Sequence, residues 1–167
     1  MKIHQIASLV AAVAFTAVSA APAFAVTVSR VDGQPMNPNG EPFSATGLTN
    51  LSKKAIVANC SVTLNGTITP AGIVNIASVQ FNGGSLCLLV SGNATSASPW
   101  PGQVDSATQL SIDNAQVDFK VLGGCGPSKI VATWSNSNSL LTFSNAELTP
   151  DCKFSGPLVV SPKLHVQ

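Results

Sequence analysis

Apolar and polar residues alternate in short segments along the middle of the chain. Val62, Leu64 and Ile68 share one face of an extended segment over residues 61–69, and hydroxyl and amide side chains occupy the other face. A period of two is typical of a β-strand that buries one face and exposes the other. No segment after residue 25 carries a sustained helical stripe of apolar residues, so we expect an all-β domain.

Turn residues separate the predicted strands at intervals of roughly 8 to 12 residues, which is typical of an antiparallel β-sandwich or barrel. The pattern leaves these two architectures open. In detail, it predicts a three-stranded meander with strands at 61–69, 73–81 and 85–91, a loop at 92–102, a hairpin around Asp113 and Asn114, a break at 123–127, and a hairpin around residues 135–138.

The first 25 residues have the three zones of a secretory signal peptide. Lys2 is positive, residues 6–18 are almost entirely apolar, and Ala23 and Ala25 form an A-x-A cleavage site. The apolar zone has 13 residues, whereas a helix that crosses a membrane needs about 20. We therefore predict that residues 1–25 are a cleaved signal peptide and that Val26 is the first mature residue. The expected location is extracellular, with the periplasm or cell surface as alternatives.

Turn chemistry dominates the segment that follows the predicted cleavage site. After a short β-like stretch at 26–29, the chain runs through Asp32-Gly33, Asn39-Gly40 and three prolines. These pairs favour tight turns over regular strands. The sequence therefore predicts an extended N-terminal arm at 26–42 and a β domain at 43–167, with no transmembrane segment.

The low charge of the chain narrows the classes of partner. Charged residues make up 9% of the sequence, against about 25% in an average soluble protein. Loss of Lys2 leaves seven basic and seven acidic residues, so no basic stripe is available for nucleic acid. The chain also has no cationic amphipathic segment, and anionic headgroups are therefore not expected as targets. A neutral surface gives little protection against self-association.

The four cysteines all follow the predicted signal peptide. An even number of cysteines in an exported chain predicts two disulfides. The spacings of 27, 38 and 27 residues favour Cys60–Cys87 and Cys125–Cys152 among the three possible connectivities. A zinc site is the rival interpretation, but it would require CxxC-like pairs, which this chain does not have.

The sequence offers no recognisable catalytic constellation. His165 is the single histidine of the predicted mature chain, and neither G-x-S-x-G nor H-E-x-x-H occurs. The seven carboxylates, which could form a glycosidase-type pair only through folding, are mostly explained by turns and strand exteriors. We therefore expect no enzyme, no cofactor and no metal site.

Trp100, between Pro99 and Pro101, is the most conspicuous apolar residue in a predicted loop. Two interpretations are open. In the first, the indole is exposed and touches a hydrophobic or sugar surface. In the second, the indole folds back as a lid over the β domain, fixed by the two prolines. Trp134 alternates with Ile130 and Ala132 and is expected in the core.

A set of short motifs resembles a known family of secreted bacterial proteins. The motifs are the segments at 43–47, 51–54, 62–67, 71–72 and 81–83, the tripeptide at 99–101, and the segment at 124–127 leading to Trp134, with Cys60 and Cys87 between them. Their order is similar to that of the alkane oxidation protein activators of the Pra type. The resemblance covers most of the predicted mature chain, from Phe43 to Cys152.

The resemblance implies a non-catalytic accessory protein that promotes growth on long-chain alkanes. Its expected partner is a hydrocarbon or surfactant interface, or another component of the cell surface, and no catalytic residue carries over. The rival interpretation is a structural protein, such as a fimbrial, biofilm-matrix or adhesion subunit that assembles by strand exchange. Low charge, strands rich in threonine and asparagine, and an extended arm would suit that role.

Overall fold

A computed structural model describes residues 26–167, which form an all-β domain. The predicted signal peptide at 1–25 lies outside the described residues. A single 3-10 turn at Cys87–Leu89 interrupts the strands of this part of the chain. The strands are β1 (Val28–Arg30), β2 (Glu41–Lys53), β3 (Ile56–Ile68), β4 (Ile73–Gly83), β5 (Val90–Gly92), β6 (Trp100–Ser106), β7 (Gln109–Phe119), β8 (Gly123–Ser135), β9 (Leu140–Leu148), β10 (Cys152–Ser161) and β11 (Leu164–Val166).

Eight of these strands close into an antiparallel barrel, which resolves the choice between sandwich and barrel. Neighbouring strands follow the order β7-β6-β4-β3-β2-β10-β9-β8, and the pairing of β7 with β8 closes the ring. The short strand β5 adds to β7, where Val90 lies opposite Phe119. The β2–β3 hairpin has an unbroken register from Glu41 opposite Ile68 to Lys53 opposite Ile56.

The interior of the barrel is filled by the inward-facing residues of the alternating strands. Val62, Leu64 and Ile68 are buried, which confirms the predicted inner face of β3. Phe143 and Phe154 meet edge to face with their ring centroids 4.9 Å apart. The two apolar cavities inside the described barrel measure about 30 and 20 Å³, roughly one water molecule each.

β-Bulges explain two places where the simple alternation fails. The register between β3 and β4 shifts between Asn65 and Gly66, so Val74 and Ile76 face inward at one end of β4 and Phe81 faces inward at the other. The predicted hairpin around Asp113 and Asn114 is wrong, because both residues lie within the single strand β7. Asn114 adopts a φ of 58° where the ladder between β7 and β8 is irregular, a conformation that suits a bulge as well as a turn.

Three other predicted boundaries need correction. The expected strand at 85–91 is a 3-10 turn followed by the three residues of β5. The expected break at 123–127 begins strand β8, and the end of the predicted loop at 92–102 begins β6. At the second and third of these places glycine or proline lies within a strand, where bulges and edge positions accept these residues.

The N-terminal segment packs against the end of the barrel that we call the lower end, where the turns at 69–72, 106–109 and 136–139 lie. β1 pairs with β11, with Val28 opposite Val166. Val28, Leu164 and Val166 are buried and close the lower end. Within the predicted arm at 26–42, residues 28–30 therefore form a strand, and β2 begins at Glu41, two residues before the predicted domain boundary.

A small ionic cluster fastens this segment to β2. The Arg30 guanidinium donates hydrogen bonds to both Asp32 and Glu41. The backbone N–H groups of Gln34 and Asn37 donate to the same two carboxylates. The bond from Arg30 is the main cause that lowers the pKa of Asp32 to about 2. For Glu41 the bond from Asn37, followed by that from Arg30, lowers the carboxyl pKa below its ordinary value.

Acidification is expected to destabilise the domain through this cluster. Because the pKa values of Asp32 and Glu41 are lower in the folded protein, the unfolded chain binds more protons in acid. The stabilisation is complete above the unfolded values near 4 and is lost as the pH falls towards about 2. Urea unfolding at pH 6 and pH 2.5 should show a smaller loss of stability for Asp32→Asn/Glu41→Gln than for the wild type. The matched control is Glu147→Gln on the exposed face of β9, and an equal loss in the double variant and the wild type would contradict the assignment.

Candidate functional site

The upper end of the barrel, opposite β1 and β11, brings together both disulfides and four connections. The turns between β2 and β3, between β7 and β8, and between β9 and β10 lie there, together with the 3-10 turn that follows β4. Cys60 is joined to Cys87 and Cys125 to Cys152, which confirms the pairing predicted from the spacing. The first bridge attaches the 3-10 turn to β3, and the second joins β8 to β10.

The side chain of Lys53 closes the upper end of the barrel from within. This lysine is only 3% exposed. Its ammonium lies 3.0 Å from an oxygen of Asp151, 2.9 Å from the carbonyl oxygen of Gly124 and 3.0 Å from the sulfur of Cys125. A buried ammonium needs such partners because removal from water is costly. The contacts therefore tie β2 to the start of β8 and to the turn before β10.

The same place holds the one group of potential metal ligands found among residues 26–167, namely Cys125, Asp151 and Cys152. The two sulfur atoms are bonded to each other in a disulfide, and the carboxylate faces the Lys53 ammonium. A metal site of the zinc type requires free thiolates. These residues therefore act as a structural clamp at the upper end.

An apolar cleft of about 260 Å³ opens beside this clamp. We call it the apical cleft. It lies between the start of β3, the 3-10 turn and the turn between β7 and β8, and its walls are apolar throughout. The lining residues are Ile56, Ala58, Leu86, Leu89, Phe119, Val121 and Leu122.

Exposed hydrophobic side chains are concentrated around the apical cleft. Of the ten large hydrophobic residues that are exposed in residues 26–167, three line the cleft and two more are sequence neighbours of lining residues. Val121 is 74% exposed and Leu88 is 64% exposed. These five residues are Ile56, Val57, Leu86, Leu88 and Val121. Single exposed hydrophobic residues are ordinary, but a cluster of this kind marks an interaction surface.

The first of the two interpretations of Trp100, a surface contact through an exposed indole, does not agree with the burial of this residue. Trp100 begins strand β6, opposite Ile76, and is only 6% exposed. The indole borders an interior cavity together with Phe81 and Ile112. Trp100 therefore belongs to the core, although it lies in strand β6 and not in a loop that folds back over the domain. Trp134 is half-buried at the lower end, where its indole N–H donates to Asn136.

The other candidate chemical groups are spread over the surface of the barrel. His165 lies in β11 at the lower end. Five of the seven carboxylates form ion pairs with lysine or arginine, and the other two are Asp105, which accepts a hydrogen bond from Ser111, and Asp118 on β7. The described residues therefore bring no two free carboxylates together with a histidine.

Sequence reasoning missed the apical cleft because its walls come from three separate segments. Ile56 and Val57 precede the predicted strand at 61–69, and Val121 and Leu122 precede the predicted break at 123–127. One local signal was present, since Leu86, Leu88 and Leu89 break the alternation expected of a strand. A run of this kind favours a short helical turn that presents several apolar side chains together.

Comparison with known proteins places the chain in one family. The sequence model described as alkane oxidation protein activator PraA/PraB-like matches residues 1–167. No curated protein and no solved structure gives a significant match. In residues 26–167 no helix is long and apolar enough to cross a membrane.

Proposed function

We propose, because the chain belongs to the PraA/PraB-like family of alkane oxidation protein activators, that it is a secreted, non-catalytic accessory protein for alkane assimilation. The mature protein acts outside the cytoplasm, at the surface of the cell or of the oil. The family match over residues 1–167 is the observation that carries this proposal. Two disulfides support it, since they persist in oxidising, exported environments.

The packing of the barrel supports contact with hydrocarbon on the outside of the molecule. The interior cavities of about 30 and 20 Å³ are far too small for a long alkane chain. An eight-stranded barrel can hold a small ligand only when its side chains leave room for one. The apical cleft is instead open to solvent and apolar. It replaces Trp100 as the proposed surface contact.

A non-catalytic role agrees with the distribution of polar groups in the described part of the chain. General acid–base chemistry needs a titratable group held close to a second group that acts on the same substrate. Here the carboxylates of Asp32, Glu41 and Asp151 are held by Arg30 and Lys53. These pairs join strands and turns to each other.

The strand pairing gives no support to the rival role as a subunit that assembles by strand exchange. Strand exchange needs an open edge that accepts a strand from a neighbour. Each of the eight barrel strands already pairs on both sides, and the open edges that remain in the described residues belong to the three-residue strands β1, β5 and β11. We therefore expect protein purified from the culture medium to be a stable monomer.

Growth experiments test the proposed function directly. A strain that lacks the gene should grow more slowly than the wild type on hexadecane and equally well on succinate. Protein purified from the medium, with Val26 as its first residue by intact mass, should restore growth on hexadecane when added back. Equal growth of both strains on hexadecane would overturn the proposal. A defect confined to attachment or biofilm would favour the structural-subunit role instead.

A further inference from the structure

Two lysines flank the apical cleft, and neither is neutralised by an ion pair. Seven basic residues occur in residues 26–167, and four of them, Arg30, Lys53, Lys129 and Lys153, pair with carboxylates. The remaining three are Lys54, Lys120 and Lys163. Lys54 lies two residues before Ile56, and Lys120 directly precedes Val121. Both side chains are exposed, in the two turns whose neighbouring residues Ile56 and Val121 line the cleft, and we call these two positions its rim.

Little negative charge opposes these two lysines. Asp151 at the same end already pairs with the Lys53 ammonium at 3.0 Å. Asp118 is half-buried on the outer face of β7, where its carboxylate lies over Gly124. The rim of the cleft therefore keeps a net positive charge, although the predicted mature chain as a whole is neutral.

We propose that the apical cleft docks onto an oil–water surface that carries anionic amphiphiles. This inference rests on the proposed function and specifies the surface on which it is exercised. The apolar side chains of Ile56, Leu86 and Val121 enter the oil, and Lys54 and Lys120 bind the anionic headgroups beside them. Binding to a neutral alkane surface would depend on the apolar side chains but not on the two lysines.

The apical cleft has the two features that binding to such a surface requires. Interfacial binding combines buried apolar area with attraction to negative headgroups. A lysine close to an anionic surface strengthens binding about fivefold, and the effect falls off within a Debye length. The sequence did not suggest this target because it has no cationic amphipathic segment. The fold assembles the equivalent surface from three segments that are distant in sequence.

Binding to oil droplets of two kinds tests the inference. Full mature protein is mixed with hexadecane droplets containing palmitate at pH 9, or with droplets containing a neutral glycerol monoester, and the bound fraction is measured. Wild-type protein should bind the palmitate droplets more tightly, and added salt should remove the difference. Lys54→Gln/Lys120→Gln should bind palmitate droplets about thirty-fold more weakly and the neutral droplets as well as wild type does.

Two matched controls test whether droplet binding depends on the apical cleft and not on the lower end of the barrel. Lys163→Gln removes the third unpaired lysine, at the lower end, and should bind both kinds of droplet like the wild type. Ile56→Ser/Val121→Ser should weaken binding to both kinds of droplet, whereas Ile73→Ser, at an exposed apolar position at the lower end, should not. Circular dichroism and urea unfolding confirm that each variant is folded.

The outcomes separate this inference from the proposed function. Equal binding of wild-type protein to both droplets, or equal losses for Lys163→Gln and for the double lysine variant, would overturn the role of the anionic surface. If the strain that lacks the gene still grows slowly on hexadecane in that case, the accessory function stands without a role for the anionic surface. Loss of the growth effect with intact binding to palmitate droplets would instead remove the proposed function and leave the docking surface in place.

Discussion

Replacing Trp100 with alanine is expected to destabilise the domain by about 3–5 kcal/mol, the usual cost of removing a large buried aromatic side chain. The indole is 6% exposed and borders the interior cavity beside Phe81 and Ile112. Its removal would leave a void between β4, β6 and β7, because these strands are held by their own hydrogen bonds and can collapse only in part. Urea unfolding of the purified variant measures the loss.

A conservative variant and a binding assay make this prediction specific. Trp100→Phe keeps an aromatic ring in the same place and should lose much less stability than Trp100→Ala. At a temperature where Trp100→Ala remains folded, its adsorption to hexadecane droplets should equal that of the wild type. An unchanged unfolding midpoint together with weaker adsorption would show that the indole faces the oil.

Removal of the Cys60–Cys87 bridge is expected to destabilise the protein by about 3.6 kcal/mol in the chain-entropy model. The second bridge, Cys125–Cys152, has the same sequence separation of 27 residues, so its removal should cost a similar amount. The double variants Cys60→Ala/Cys87→Ala and Cys125→Ala/Cys152→Ala therefore form a matched pair. Urea unfolding should give nearly equal losses for the two.

The two bridges should differ in their effect on the apical cleft. Cys60–Cys87 holds the 3-10 turn that contains Leu89 and follows Leu86, and the turn is also attached by the hydrogen bond that the Lys120 N–H donates to the Leu89 carbonyl oxygen at 2.9 Å. Cys125 and Cys152 lie in the long strands β8 and β10, which keep their ladders without the bridge. Amide hydrogen exchange around residues 84–92 should increase only in the first variant, together with weaker droplet binding. Equal exchange in both variants would contradict this difference.

Local patterns in the sequence were sufficient to predict the fold class and two of the hairpins, β3–β4 and β8–β9. The alternation of Val62, Leu64 and Ile68 gives the inner face of β3 because neighbouring residues of a strand point to opposite sides. The equal cysteine spacing led to the observed disulfide pairing. The turn at 135–138 separates β8 from β9 as predicted.

Most features of the fold that the sequence did not predict depend on pairing between strands that are distant in the chain. The choice of a barrel depends on the ladders of β7 with β8 and of β2 with β10, and the second joins segments about a hundred residues apart. Asn114 could not be assigned locally because asparagine accepts the same left-handed conformation in a turn and in a bulge. The burial of Trp100 depends on the pairing of β6 with β4, which no local signal specifies.

The pairing of β1 with β11 also determines where a tag or an anchor can be attached without covering the apical cleft. Thr27 and Gln167 exchange two backbone hydrogen bonds, at 2.8 and 3.0 Å, so both ends of the described chain emerge at the lower end. The apical cleft faces the opposite direction. A fluorescent tag, a resin linker or a surface anchor fused at either Val26 or Gln167 would therefore be attached at the lower end and would leave the apical cleft accessible.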